Sequence, residues 1–178
     1  MVKGIFTRAN QRARLNPLQY ANYAVMAGSA EHVKVIDMAR RSYAESMRLN
    51  PSDDLGLSWI ALFLEKEGEQ DLAGQFYKLA IIRNPTFYGH HLMLGDWLND
   101  NSRQREAQTA QQRALQLYPQ ISKTLLPVLR QKYQINLEQM QKILPDRVVP
   151  HLVHASLLAS EGPILEAGEA YARALLFV

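Results

Sequence analysis

The sequence predicts an all-α fold in which helical hairpins stack into a solenoid. Two observations carry the prediction. First, Pro17, Pro51, Pro85 and Pro119 follow one another at intervals of 34 residues, and the residues before them match: Leu15-Asn16-Pro17, Leu49-Asn50-Pro51, Arg83-Asn84-Pro85 and Leu117-Tyr118-Pro119. Internal repetition at such a period is the mark of a repeat architecture. Second, small residues and turn residues recur between the prolines. Ala61 faces Ala73 and Gly95 faces Ala107 in the expected hairpins, while Gly68, Gly162 and the Asn99-Asp100-Asn101-Ser102 run mark turns inside them.

Each element has a local cause. Proline lacks a backbone N–H and pushes the preceding residue out of the helical region, so each spaced proline ends a hairpin. Ser52 and Asp53 then offer caps to the next helix. The small residues let two helix backbones approach, and larger ones would force them apart. The pattern gives eleven helices. A leading helix covers about 5–15, and pairs follow at 18–29 and 32–48, 53–67 and 70–83, and 87–99 and 103–117. An irregular pair is expected at 124–133 and 137–144, and a last pair at 149–160 and 164–177. Pro127 requires its helix to start near Thr124, and Asn136 with Gln139 reads as a capping pair.

The landmarks resemble the tetratricopeptide repeat (TPR). In the second repeat Leu57, Ile60, Ala61, Leu64, Ala73, Tyr77, Ala80 and Pro85 fall on its motif positions. The third has Leu94-Gly95, Leu98, Ala107, Ala114 and Pro119, and the first has Tyr23, Met26, Ala27, Ala39, Tyr43 and Pro51. A further match near the end has Ala155, Leu158, Ala167, Tyr171 and Ala174. There are departures. Gln111 stands where an aromatic is expected, Ser46 where an alanine is, and His91 and His151 where a large apolar residue is. The resemblance implies a right-handed α-α superhelix, a TPR-like solenoid, forming a single domain over 1–178. Its parts are a leading helix at 1–16, three repeats at 17–118, the irregular pair at 119–147 and a final repeat at 148–178.

In that family the first helix of each hairpin lines the concave surface. The resemblance therefore implies a partner-binding face of Ser58, Leu62 and Glu65, then Leu92, Asp96 and Asn99, then Leu152 and Ser156, with Ala24 and Gly28 from the first repeat. The face is part apolar and part acidic. It has no basic clamp for a terminal carboxylate, which disfavours a chaperone-type peptide clamp.

Composition narrows the classes. Hydrophobic residues are 47% and charged residues 21%, enough for a core and a solvated surface. No apolar run approaches a membrane span, and the first residues do not read as a signal peptide. The absence of cysteine excludes disulfides and thiolate metal sites and leaves a cytoplasmic and a periplasmic location both open. The net charge of +3 comes from Lys3, Arg8, Arg12 and Arg14, so the remainder is nearly neutral. A nucleic-acid binder needs a basic stripe across its fold, so no nucleic-acid partner is expected.

Chemistry-bearing motifs are sparse. There is no phosphate loop, nucleophile elbow or zinc-protease helix, so no catalytic residue, cofactor or metal is expected. His90 with His91, and His151 with His154, could begin a metal site, but nothing places a third ligand, and structural histidines are the simpler reading. Glu65, Glu67, Glu69 and Asp71 read as a solvated hairpin end. Trp59 and Phe63 recur 34 residues later as Met93 and Trp97, as core between repeats or as a ledge for a partner.

The leading function is a protein-interaction scaffold, not an enzyme. It would bind a protein or peptide segment along the concave face or at an end of the stack. The alternative is a soluble accessory TPR tail of a larger, membrane-bound bacterial protein of cell-surface polysaccharide assembly. The apolar C-terminal hairpin, around Leu165, Leu175, Leu176 and Phe177, is expected to be a contact surface and a route to self-association.

Overall fold

The computed structural model describes residues 41–178, apart from 46, 162 and 163. The leading helix, the first repeat up to residue 40 with Pro17, Ala24 and Gly28, and the positions Ser46 and Gly162 lie outside the described residues. The described chain is helical, with no strand among these residues. It divides between Arg83 and Asn84 into two compact units, and that border is also a repeat border.

In the first unit, residues 41–45 and 47–49 are helical. Helices α1 (Asp54–Lys66) and α2 (Gln70–Arg83) then pack as a hairpin. Asp53 caps α1, its carboxylate accepting from the Gly56 N–H at 3.0 Å. Gly68 makes the turn at φ +83°, a left-handed conformation that suits glycine. Ala61, Ala73 and Ala80 are fully buried, as the repeat predicts, and Tyr77 is buried with its hydroxyl donating to Glu65 at 2.8 Å.

In the second unit, α3 (Tyr88–Asp100) and α4 (Gln104–Leu117) form the next hairpin. A Cβ on Gly95 would lie 3.0 Å from Gln111 Cγ and 3.6 Å from the Ala107 carbonyl oxygen, so the glycine makes room for the facing helix. Ala107 and Ala114 are fully buried there. Two short helices follow, α5 (Ser122–Gln131) and α6 (Leu137–Gln141), and then the hairpin of α7 (Val148–Glu161) and α8 (Ile164–Ala174). The short pair buries Leu125, Leu126, Leu129, Ile135, Met140, Ile143 and Leu144 with Leu115 of α4, while Leu92 of α3 and Val153 and Leu157 of α7 pack against this cluster. An Arg130–Glu161 pair at 2.6 Å ties α5 to α7.

Three expectations are corrected. The α5 helix begins at Ser122, not near Thr124, because a 3-10 turn at Pro119–Ile121 feeds straight into it and the Ser122 hydroxyl donates to the Pro119 carbonyl at 2.8 Å. Pro127 therefore lies inside the helix, beyond its first turn. The final helix stops at Ala174 and gives way to a 3-10 turn, Leu175–Phe177. Tyr171, counted with the buried motif positions, is substantially exposed, whereas Ala167 and Ala174 are buried: α8 turns its small residues to α7 and the tyrosine away from it. The Asn136–Gln139 pair forms a reciprocal capping box, as expected, with Gln139 N–H donating to Asn136 at 2.7 Å. Pro51 and Pro85 sit exposed at hairpin ends and Pro119 opens the 3-10 turn.

Candidate interaction surfaces

The residues of the expected partner face differ in exposure. Ser58, expected on that face, is only 1% exposed, because α1 turns it inward with Leu57 and Ala61. Glu65 and Leu62 are half-buried, and the Glu65 carboxylate is engaged by Tyr77. In the second unit Asp96, Leu152 and Ser156 are exposed. Leu92 is half-buried against the leucine cluster, and Asn99 is half-buried with its amide nitrogen lacking a partner.

The aromatics split. Trp97 is 5% exposed, with the Arg103 guanidinium 5.5 Å from its ring centroid, so it belongs to the interior. Trp59 is half-buried beside the Tyr43, Ile60 and Phe63 cluster. Positions 34 residues apart match in burial: Phe63 and Trp97 are both buried, and Trp59 and Met93 are both half-buried.

The described histidines are built into the fold. His91 Nε2 donates to the Pro85 carbonyl at 3.0 Å, and His154 Nε2 to the Leu137 carbonyl at 2.8 Å. His90 meets Phe87 edge-on at 4.8 Å, and His151 stacks on Phe177 at 4.6 Å. Burial pushes His91, His151 and His154 below the ordinary imidazole value. Among the described residues no three metal-ligating side chains converge.

Two apolar surfaces stand out among the described residues. In the first unit an open groove of about 610 Å³ runs between Tyr43, Met47, Leu64, Leu72 and Phe76. Burial raises the Tyr43 phenol to about 12, and its hydroxyl has no partner. In the second unit the last hairpin leaves Ile164 87%, Leu165 76%, Leu175 68%, Leu176 79% and Val178 91% exposed. Phe177 differs from these neighbours, being half-buried on His151. Sequence reasoning found the C-terminal surface but missed the groove and the His151–Phe177 stack. The groove had a faint signal in the spacing of Tyr43 and Met47. The stack had none, since it joins residues on different elements.

The hairpins are tetratricopeptide-like. They combine the 34-residue period, the buried small residues of α1 to α4 and the antiparallel helix pairs. No protein-family model matches the chain, and no curated protein sequence does. Solved structures give distant likenesses. MamA is 17% identical over 83% of this chain and 91% of that one, with a TM-score of 0.49. The MamA RS-1 ArsTM double mutant is 14% identical over 93% and 96%, also at 0.49. TTC0263, a thermophilic TPR protein of Thermus thermophilus, is 21% identical over 92% of both chains at 0.43. The tetratricopeptide-like assignment rests on the chain's own period and packing. No helix among the described residues is long and apolar enough to cross a membrane.

Proposed function

We propose that this tetratricopeptide-like chain is a protein-interaction scaffold that docks through the apolar end of its last hairpin. The observation that carries the reading is the exposure of Leu175, Leu176 and Val178 in succession after α8, with Ile164 and Leu165 exposed at the start of that helix. Exposed apolar surface on a protein in water marks a contact site, because covering it removes that area from solvent. A second copy of the chain is the proposed occupant. The exposed Asp96, Leu152 and Ser156 of the second unit, with half-covered Leu92 and Asn99, are more polar candidates for contacts to an extended partner segment, as are Leu62 and Glu65 within the first unit. A tail of a larger, membrane-bound bacterial assembly protein is the second reading, and the same leucines favour it, since further chain packed on them would cover them.

Light scattering after size exclusion, over a wide concentration range, tests the reading. The expected result is concentration-dependent association that Leu176→Glu or Leu175→Glu weakens at least tenfold, the equivalent of about 1.4 kcal/mol. A monomer at every concentration, or association indifferent to both substitutions, would overturn it.

A further inference from the structure

We infer that the C-terminal turn is a proton-operated flap, closed on His151 while that imidazole is neutral and released when it takes up a proton. Beyond its continuity with α8 through buried Ala174, the turn is held by one side chain. Leu175, Leu176 and Val178 are each at least 68% exposed, and only Phe177 reaches back, its ring lying on the His151 ring with centroids 4.6 Å apart and planes inclined by 25°. Loss of that single stack frees the turn.

The imidazole is set to stay neutral. His151 is 8% exposed, and its Nε2 is buried with no hydrogen-bond partner. A neutral ring carries one N–H, and with no acceptor at Nε2 that hydrogen belongs on Nδ1. Nε2 is then a bare buried nitrogen. A proton arriving there creates a charged N–H with nothing to receive it, an unfavourable state unless water enters. Water gains access when the covering phenyl ring moves away.

The surrounding charges act in both directions. His154, one turn along α7, and Arg173 of α8 oppose a cation at His151, while Asp146 and the Pro145 carbonyl, from the segment before α7, favour it. His154 is itself tied to the Leu137 carbonyl of α6 and faces Arg173, so it offers no negative charge. The attraction of a cationic imidazole for the Phe177 π-face opposes release. It is weaker than the cost of the unpartnered buried charge, and burial accordingly holds the His151 value below that of a free imidazole. Opening would move Leu175 and Leu176, so acid would reshape the contact surface. That regulatory use rests on the docking reading above, whereas the flap does not.

The test is NMR of the full chain with labelled histidine and phenylalanine, from about pH 8 down to about pH 5. The imidazole ring current shifts the Phe177 ring signals in the closed state. These signals are expected to relax to free-phenylalanine positions along the same curve as the His151 Cε1–H titration. Amide signals of α3 and α4 should stay in place. His151→Phe keeps a stacking partner without a titrating group, so its Phe177 signals should remain shifted at the acid end. His154→Phe should leave the His151 curve coupled to Phe177. In Phe177→Ala, which spares the interior, the His151 midpoint should rise. Phe177 signals that stay fixed while His151 titrates, or an unchanged midpoint in Phe177→Ala, would overturn the flap. Light scattering at both ends of the range separates the two ideas. A flap that opens without altering association counts against the contact reading alone.

Discussion

Gln111 is completely buried, and neither its amide nitrogen nor its oxygen has a partner. A buried amide without hydrogen bonds carries the desolvation cost of both groups. Gln111→Met keeps much of the volume and removes the polar atoms, so it should stabilise the chain by about 1–2 kcal/mol. Urea denaturation monitored by circular dichroism checks this, and a lowered midpoint would indicate that the amide is satisfied. The same side chain explains Gly95, whose added Cβ would press on it at 3.0 Å. The histidines supply the pH dependence. His91 and His154 are held below the ordinary value of 6.5 by burial, so the folded chain binds fewer protons than the unfolded one. Their neutral forms leave stability intact above that value. Stability then falls as the pH drops through 6.5 towards the lowered folded values. Thermal melts across that window should show a falling Tm, and a flat profile would contradict the burial. The substitution of histidine for an apolar residue at positions 91 and 151 was visible in the sequence. Their bonding was not, because it depends on carbonyls and rings from other elements.

At the scale of the elements, the hairpins were legible because their causes are local. The proline period, Asp53, Gly68 and the Asn136–Gln139 box each act within a few residues of themselves. The start of α5 was misread because a 3-10 turn and an α-helix merge there without a capping signal. Partner-face residues were the least legible. Ser58 and Leu92 share a pattern with exposed Asp96 and Ser156, and only packing by neighbouring helices separates them. Two substitutions probe the elements. Ala73 is fully buried in the α1–α2 hairpin, so Ala73→Leu should cost about 1–3 kcal/mol by overpacking, read as a lower denaturation midpoint. Pro127 lacks the N–H that would bond the Lys123 carbonyl inside α5. Pro127→Ala should restore that bond and stabilise by about 1–3 kcal/mol, less what the half-buried ring contributes to packing. A destabilised alanine variant would mean that the ring's contacts outweigh the missing bond.

At the scale of the whole molecule, the chain consists of two compact units whose border falls between repeats. In repeat architectures stability is approximately a sum over repeats and their neighbours, so units can differ in stability. The leucine cluster spanning α3 to α7 and the Ala155–Ala170 cluster both lie wholly in the second unit. A fragment of residues 84–178 should therefore fold alone, with a cooperative melt and native-like helical circular dichroism. A non-cooperative fragment would show that its core needs the first unit. Trp59 and Trp97 are the only tryptophans, and they fall one in each unit with unlike surroundings. Trp97 is enclosed beneath an arginine, and Trp59 is partly open. The chain thus carries its own pair of optical reporters. Phenylalanine at either position leaves a single emitter, and each remaining colour change on denaturation times the loss of one unit without any dye or label.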